Sequence, residues 1–268
     1  MKIDHIYSKL SLANDFIFMK VMQNEHLCKK LLELILDIQI EKLEFIEHQK
    51  NIDISPSSHG IRLDIYVKDS KKTIYNVEMQ TVNTKELPAR SRYYQSVIDI
   101  NLIEKGQSYK ELSKSYIIFI CTFDIFGYGR HIYTFENLCL QDPHLHLNDG
   151  STKIFLNPYS DMNDIHSELK NFLTYLSDEL ITDSFTEDLS EAVNKAKNNE
   201  EWRREYMTLY MKEQEARESG REEGRINTLL SLIQKGILSE SQAAQELGVS
   251  VEDFRLKAEQ FNTPENNN

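Results

Sequence analysis

Two carboxylates and one carboxamide are the side chains whose types and spacing best fit a chemical role in this sequence. Asp64 lies in one segment of alternating apolar and polar residues, and Glu78 and Gln80 lie in the next such segment. Side chains two residues apart in a strand lie on the same face, so Glu78 and Gln80 share a face. The polar residues 69–72 predict a turn between two antiparallel strands, which would bring Asp64 near Glu78.

A pair of converging carboxylates has two interpretations. Carboxylates offer the hard oxygen ligands that Mg²⁺ and Mn²⁺ prefer. A bound divalent cation lowers the pKa of a water molecule and stabilises charge that develops on a phosphoryl oxygen. The alternative is that Asp64 and Glu78 are solvated residues on the polar face of an ordinary two-sided hairpin. The spacing alone leaves both interpretations open.

The elements that must position these residues show a mixed α/β pattern. Asn14 or Asp15 can cap a short first helix, and a second helix with apolar periodicity covers 27–36. Pro88 suits the first turn of a later helix that runs to about Lys105. Strands are predicted at 41–48, 61–68, 73–81, 115–123, 131–138 and 153–156, and a further helix at 163–180.

Composition divides the chain into four parts. Residues 1–182 carry the mixed pattern, and 183–227 are rich in acids and bases, which predicts a long charged helix or linker. Residues 228–262 show short capped helices joined by glycine turns, the outline of a helix-turn-helix. Residues 228–260 carry three bases and five acids. Because this net charge is negative, we favour self-association in a homodimer over the binding of a helix in a DNA groove. Residues 263–268 are predicted to be a disordered tail.

The overall charge limits the choice of partners. The chain has 268 residues and a formal net charge of −12, which opposes nucleic-acid binding at long range. Around the paired carboxylates, however, residues 62–92 carry seven bases and four acids. No apolar run has the length of a membrane span, no secretory pattern is visible, and the three cysteines are widely spaced. We therefore expect a reduced, cytoplasmic protein without a membrane anchor, and the lack of Gly-rich phosphate loops predicts no nucleotide cofactor.

Several segments, in order, resemble one known group of proteins. They are NDFIFMK at 14–20, DIYVKD at 64–69 with YNVEMQ at 75–80, RSRYY at 90–94, and the tail from 218–224 into a short helical unit. These segments are similar to those of the PD-(D/E)XK nuclease superfamily. More specifically, they resemble its Rpn family of recombination-promoting nucleases, also called PD-(D/E)XK family transposases. The resemblance covers most of the chain.

The resemblance implies both a fold and an activity. The implied fold is a restriction-endonuclease-like α/β core, a mixed central sheet flanked by helices, with an α-helical C-terminal extension. The implied activity is that of a Mg²⁺-dependent DNA endonuclease, with Mn²⁺ as a second cofactor, that hydrolyses phosphodiester bonds with metal-activated water. The implied setting is recombination, transposition or defence.

The resemblance also implies roles for individual residues. Asp64 and Glu78 would hold the metal, and Gln80 would fill the position at which the superfamily has a lysine. Glutamine makes hydrogen bonds but carries no positive charge, so we hypothesise that Lys20 or Lys85 supplies that charge. The alternative function is that of a catalytically weak or inactive protein of this fold that binds DNA or another protein.

Three further residues complete the candidate site, and Lys85 has a second candidate role. Asp15 either adds a third carboxylate to the metal site or caps the first helix. Arg90, Arg92 and Lys85 are candidate contacts to DNA phosphates, since arginine binds a phosphate through two parallel hydrogen bonds. The alternative for the two arginines is that they are surface charges.

Overall fold

The computed structural model describes residues 2–52 and 61–262, with the side chains of 2–4, 45, 261 and 262 excepted. The helices are α1 (Lys2–Ser8), α2 (Asp15–Val21), α3 (Glu25–Leu36), α4 (Leu87–Leu102), α5 (Ser167–Asp178), α6 (Ser184–Lys197), α7 (Glu200–Gln234), α8 (Glu240–Leu247) and α9 (Val251–Asn262). The strands are β1 (Leu43–Ile52), β2 (Ile61–Asp69), β3 (Ile74–Gln80), β4 (Ser115–Cys121), β5 (Ile132–Phe135) and β6 (Ser151–Leu156), and a 3₁₀ turn (Tyr109–Glu111) precedes β4. The six predicted strands are thus confirmed, each to within a few residues.

A mixed six-stranded sheet forms the centre of the fold, with the strand order β1-β2-β3-β4-β6-β5. β1, β2 and β3 pair antiparallel, and β3, β4 and β6 pair parallel. Every residue of β4 is buried, as its continuous apolar sequence predicts for a strand covered on both faces. The predicted fold class, an α/β core with a mixed central sheet and a helical C-terminal part, is confirmed.

Helices cover both faces of this sheet. On one face, the buried residues Tyr94, Val97 and Ile98 of α4 pack in one cluster with Ile117 and Phe119 of β4. On the other face, α2 contacts β2 and β3, and α6 in turn contacts α2, α3 and α5. The polar residues of the predicted site lie on the strand face that α4 covers.

The first two core helices begin at asparagine caps. The side chain of Asn14 accepts a hydrogen bond from the backbone N–H of Ile17, and Asn24 accepts from His26 and Leu27 in the same way. The sequence left Asn14 and Asp15 as alternative caps of α2, and the structure assigns the cap to Asn14. Five of the seven residues of α2 are buried, which holds this short helix against the sheet.

The boundary between the parts of the chain differs from the predicted one at residue 182. The chain divides into one compact unit that ends at Arg203 and a second that begins at Arg204. The segment 183–227, predicted as a long charged helix or linker, holds α6 and most of α7. α6 belongs to the first unit because it buries an apolar face that includes Leu189. α7 is a helix separate from α6, and at its start the side chain of Asn199 accepts the N–H of Trp202.

The second unit is helical, as predicted. Ser239 and Gln242 form a capping box at the start of α8, and Gly248 ends this helix with a left-handed backbone, φ 70°. Phe254 of α9 is fully buried in a small cluster with Leu229, Ala243 and Ala244. The tail predicted to be disordered, 263–268, lies outside the described residues. None of the described helices combines the length and the apolar character that a membrane span requires.

Candidate active site

The pairing between β2 and β3 changes character at the two predicted metal ligands. Backbone pairing runs from Lys68 opposite Ile74 to Ile65 opposite Val77. At the next position, hydrogen bonds to side chains replace the backbone hydrogen bonds between the strands. The N–H of Asp64 donates to Glu78 Oε1 at 3.1 Å. The N–H of Met79 donates to Asp64 Oδ2 at 3.2 Å. Each carboxylate therefore binds backbone of the opposite strand through one oxygen, which holds the two side by side.

The electrostatics of this pair oppose two full negative charges. Glu78 is 1% exposed, and burial raises its pKa well above the usual range, with the neighbouring Asp64 as the second cause. Burial also raises the pKa of Asp64, to about 6, although the hydrogen bond from Met79 acts in the opposite direction. The carboxyl groups of Glu78, which is buried, and Asp64, which is half-buried, repel each other when ionised and make a region of strong negative potential that a cation would relieve.

Arg90, in the first turns of α4, links the other polar groups of the site. Its Nη1 donates to Gln80 Oε1 at 2.9 Å, and its Nη2 donates to the hydroxyl of Tyr94 at 2.7 Å. Nη2 also lies 3.7 Å from Glu78 Oε2. The guanidinium group lies near the rings of Tyr94 and Phe119, with 5.2 and 5.7 Å to the ring centres. The positive charge beside Gln80 thus comes from α4.

Asn76 is a further polar residue of this face, which is not among the site residues predicted from the sequence. Its side chain is fully buried, two residues before Glu78 on the same face of β3. The carboxamide offsets a part of the rise that burial causes in the pKa of Glu78, yet neither its nitrogen nor its oxygen makes a hydrogen bond of good geometry within the described residues. A buried carboxamide with spare hydrogen-bonding capacity fits a site that holds a ligand or water. The signal in the sequence is the even spacing of Asn76, Glu78 and Gln80.

Asp15 belongs to α2, the helix that contacts β2 and β3. It is the exposed first residue of α2, directly after the cap Asn14, and its Oδ1 accepts the N–H of Phe16. Its negative charge raises the pKa of Asp64, so its carboxylate adds to the negative potential at the site.

A comparison with known protein families identifies the family of this chain. Residues 12–225 match the family described as PD-(D/E)XK nuclease family transposase. The chain belongs to this family. The matched range contains all of the site residues described above. No curated protein and no solved structure matches the chain.

Three residues that the sequence analysis placed in the site of this PD-(D/E)XK family chain have other surroundings. The ammonium group of Lys20 lies over the rings of Phe16 and Trp202, at 5.1 and 5.4 Å from their centres. Burial lowers the pKa of His48, and the charge of Lys20 is the second cause. Lys85 is exposed in the loop between β3 and α4. Arg92 is exposed on α4, about 200° around the helix from Arg90. The contacts of Gln80 therefore point to Arg90, rather than to Lys20 or Lys85, as the neighbouring cation.

The donor set of this PD-(D/E)XK family site suits a hard divalent ion. Across 2–52 and 61–262, no three His, Cys, Asp or Glu side chains converge as a ready cluster of metal ligands. Mg²⁺ needs fewer protein ligands, since it keeps several waters and commonly binds through one or two carboxylates. Asp64 and Glu78 supply two carboxylates, and their backbone hydrogen bonds use only Oδ2 and Oε1. Asp64 Oδ1 and Glu78 Oε2 are not used in these two hydrogen bonds and can face a cation, which for Oε2 is already Arg90 Nη2 at 3.7 Å.

Proposed function

We propose that this chain is a Mg²⁺-dependent DNA endonuclease, in which Asp64 and Glu78 bind the metal and Mn²⁺ can replace Mg²⁺. The observation that carries the proposal is the pair of carboxylates, Glu78 buried and Asp64 half-buried, each held by backbone of the other strand, with a guanidinium group beside them. Membership of a nuclease family supports the same reaction class. Asp15 is proposed as the third acidic group at the metal.

The reaction is the addition of water across one P–O bond of a phosphodiester. When bound, the metal lowers the pKa of a water molecule and withdraws charge from a phosphoryl oxygen. In this proposal Arg90 stabilises negative charge on the phosphoryl oxygens, since a guanidinium group binds phosphate through parallel hydrogen bonds. Gln80 Oε1 accepts from Arg90, so the Nε2 amide group of Gln80 is its remaining donor towards water or substrate.

Plasmid nicking tests this proposal. Supercoiled DNA is incubated with the full chain and Mg²⁺, Mn²⁺ or a chelator, and the same assay is run on Asp64→Asn and Glu78→Gln. We expect nicking with either metal, and background levels with the chelator and with both variants. Titration calorimetry should show Mg²⁺ binding to the parent chain and its loss in both variants.

A matched control distinguishes the loss of a carboxylate in the site from the loss of a carboxylate elsewhere on the protein. Glu44→Gln removes one exposed carboxylate from β1 and should leave both nicking and Mg²⁺ binding unchanged. Nicking that persists at the parent rate in Asp64→Asn and Glu78→Gln would contradict the assignment of the site.

One contact favours the second candidate function, a DNA- or protein-binding module without cleavage. Arg90 already provides partial compensation for Glu78, at 3.7 Å, and this compensation competes with a metal ion. For this function the expected results are no nicking with Mg²⁺ or Mn²⁺ and retained DNA binding.

The proposed setting is recombination, transposition or defence in the cytoplasm, and the proposed assembly is a homodimer through the C-terminal helices. Cleavage of both strands of a duplex needs two active sites, and a dimer supplies them. The second unit carries exposed apolar side chains, among them Ile237 and Leu256, and its net negative charge suits contact with protein better than with DNA.

A further inference from the structure

Five lysines line one cavity at the end of the sheet where β2 turns into β3. The cavity measures about 490 Å³ and lies among the β2–β3 turn, the C-terminal end of α4 and the segment that leads into β4. The lysines are Lys68, Lys71, Lys72, Lys110 and Lys114, and one acidic residue, Glu111, shares the lining. In a chain with a net charge of −12, this is a concentrated positive patch.

The positive charge of this lysine cavity is not neutralised by neighbouring carboxylates. None of the five ammonium groups forms an ion pair within the part of the chain that the structure describes. The carboxylate of Glu111 accepts the N–H of Ser108 in the cap of the 3₁₀ turn. The nearest acid of the β2–β3 turn, Asp69, is buried and accepts from the hydroxyl of Tyr75 and from backbone N–H groups. The cavity is therefore open to an anionic ligand.

The lysine cavity and the paired carboxylates lie along the same face of the sheet. Lys68 follows Asp64 by four residues on the same face of β2, a distance of about 13 Å along a strand. α4 spans the same interval, with Arg90 at the carboxylates and Leu102 at the cavity, about 18 Å apart along a helix axis. A ligand that reaches both places must extend over about 13 to 18 Å.

A nucleic-acid strand meets this requirement. Successive phosphates of one strand advance by about 3.4 Å along the duplex axis, so 13 to 18 Å corresponds to about four or five nucleotides. Lysine ammonium groups contact phosphates as mobile point charges and read no base sequence. A small phosphate compound would occupy the cavity without needing the spacing to the carboxylates.

We propose that the lysine cavity binds the DNA phosphate backbone about four or five nucleotides from the bond that would be cut at Asp64 and Glu78. The inference rests on the proposed nuclease function. It explains how an acidic chain binds a polyanion, because the contact is confined to one patch that is separate from the acidic sites. It also predicts a minimum length of DNA on one side of the cut.

The test compares two triple variants of the full chain with equal change of charge. Lys71→Gln, Lys72→Gln and Lys110→Gln together remove three exposed ammonium groups from the cavity. Lys9→Gln, Lys170→Gln and Lys195→Gln remove three exposed ammonium groups elsewhere on the first unit. Binding of a labelled 20-base-pair duplex is measured by fluorescence anisotropy, without divalent metal, across a series of salt concentrations.

We expect the cavity variant to bind DNA at least about tenfold more weakly in low salt, with a slope of log K against log salt reduced by two to three units. The control variant should keep the parent affinity and slope to within about twofold. Calorimetry should show the parent Mg²⁺ affinity in the cavity variant, because Asp64 and Glu78 are untouched. Equal loss of DNA binding in both triple variants would overturn the proposal.

Two further arms separate the possible sources of failure. Duplexes shortened on one side of the cut should be cleaved more slowly by the parent once fewer than about four nucleotides remain.

If the parent cleaves no DNA but the binding depends on the cavity lysines, the nuclease function fails and the DNA contact stands. If the parent cleaves DNA and the cavity variant matches it in affinity and length dependence, only the cavity proposal fails. Displacement of the duplex by equimolar tripolyphosphate would also overturn it, in favour of a small-anion site.

Discussion

Asp64 and Glu78 lower the stability of the metal-free chain at neutral pH, because burial and mutual repulsion oppose their charged forms. A carboxyl group whose folded-state pKa is raised stabilises the fold fully below its unfolded pKa. This contribution is lost as the pH rises through the folded pKa. For Asp64 the window runs from the ordinary value of 3.8 to about 6. Above this window, the site holds negative charge that only a cation can balance.

Asp64→Asn is therefore expected to raise the melting temperature of the metal-free protein at pH 7. The asparagine is neutral at every pH, and its side-chain oxygen can still accept from Met79. The gain should be on the order of 1–3 kcal/mol at pH 7 and should vanish near pH 4. Thermal unfolding with chelator at both pH values measures it. A loss of stability of equal size at pH 4 and pH 7 would show that the carboxylate is not a source of repulsion.

A single substitution tests the role of Arg90, the positively charged residue beside Gln80. Arg90→Lys keeps the positive charge but cannot donate to Gln80 and Tyr94 together, since lysine has no planar fork. We expect DNA cleavage to slow by about 10- to 100-fold, the equivalent of one to two strong hydrogen bonds. Arg130→Lys, a substitution in an exposed loop, is the matched control and should keep the parent rate. Equal rates for the two variants would remove Arg90 from the mechanism.

At the scale of elements, α6 decides where the first unit ends. Its buried residues recur at helical spacing, and its contacts with α2, α3 and α5 make it part of the layer behind the sheet. α2 carries Asp15 and packs on β2 and β3. Because α6 packs on α2, it stabilises the helix that positions Asp15.

Leu189→Ala is expected to lower the free energy of unfolding by about 2–5 kcal/mol, because the leucine is fully buried and leaves a cavity. Asp188→Ala, at the exposed neighbouring position of the same helix, should change it by no more than about 0.5 kcal/mol. Urea unfolding followed by circular dichroism measures both. Similar costs for the two variants would place α6 outside the core.

The sequence predicts the two strands of the site, β2 and β3, better than it predicts the helices that pack around them. β2 and β3 show strict alternation, and a local turn joins them, so their pairing depends on near neighbours in the chain. The sequence predicts a helix or linker over 183–227 but not the burial of α6, because the charges of this segment mask an apolar stripe with a spacing of four residues, at Phe185, Leu189 and Val193. The contact between Arg90 and Gln80 depends on how α4 packs across the sheet, which no local pattern specifies.

At the scale of the whole molecule, the two compact units should separate by truncation. A chain that ends after Arg203 keeps the sheet and all helices that pack on it, and we expect it to fold and to be monomeric. A chain that ends after residue 182 lacks α6, exposes the buried faces of α2 and α3, and should melt at a lower temperature or aggregate. The full chain should be dimeric.

Circular dichroism and light scattering check these expectations. If the chain that ends after Arg203 is still dimeric, the proposed dimer does not depend on the C-terminal helices. If the chain that ends after residue 182 melts as high as the longer one, α6 contributes nothing to the first unit.

The hydrogen bonds that tie the two carboxylates to the opposite strand also provide a spectroscopic probe. The amide protons of Asp64 and Met79 donate to Glu78 and Asp64, so any change in the charge of these oxygens alters the magnetic environment of both nuclei. In an NMR titration with Mg²⁺, these two resonances should shift together, with one shared binding curve, before any DNA is present. The amide of Val67, within the regular part of the same hairpin, supplies an internal reference.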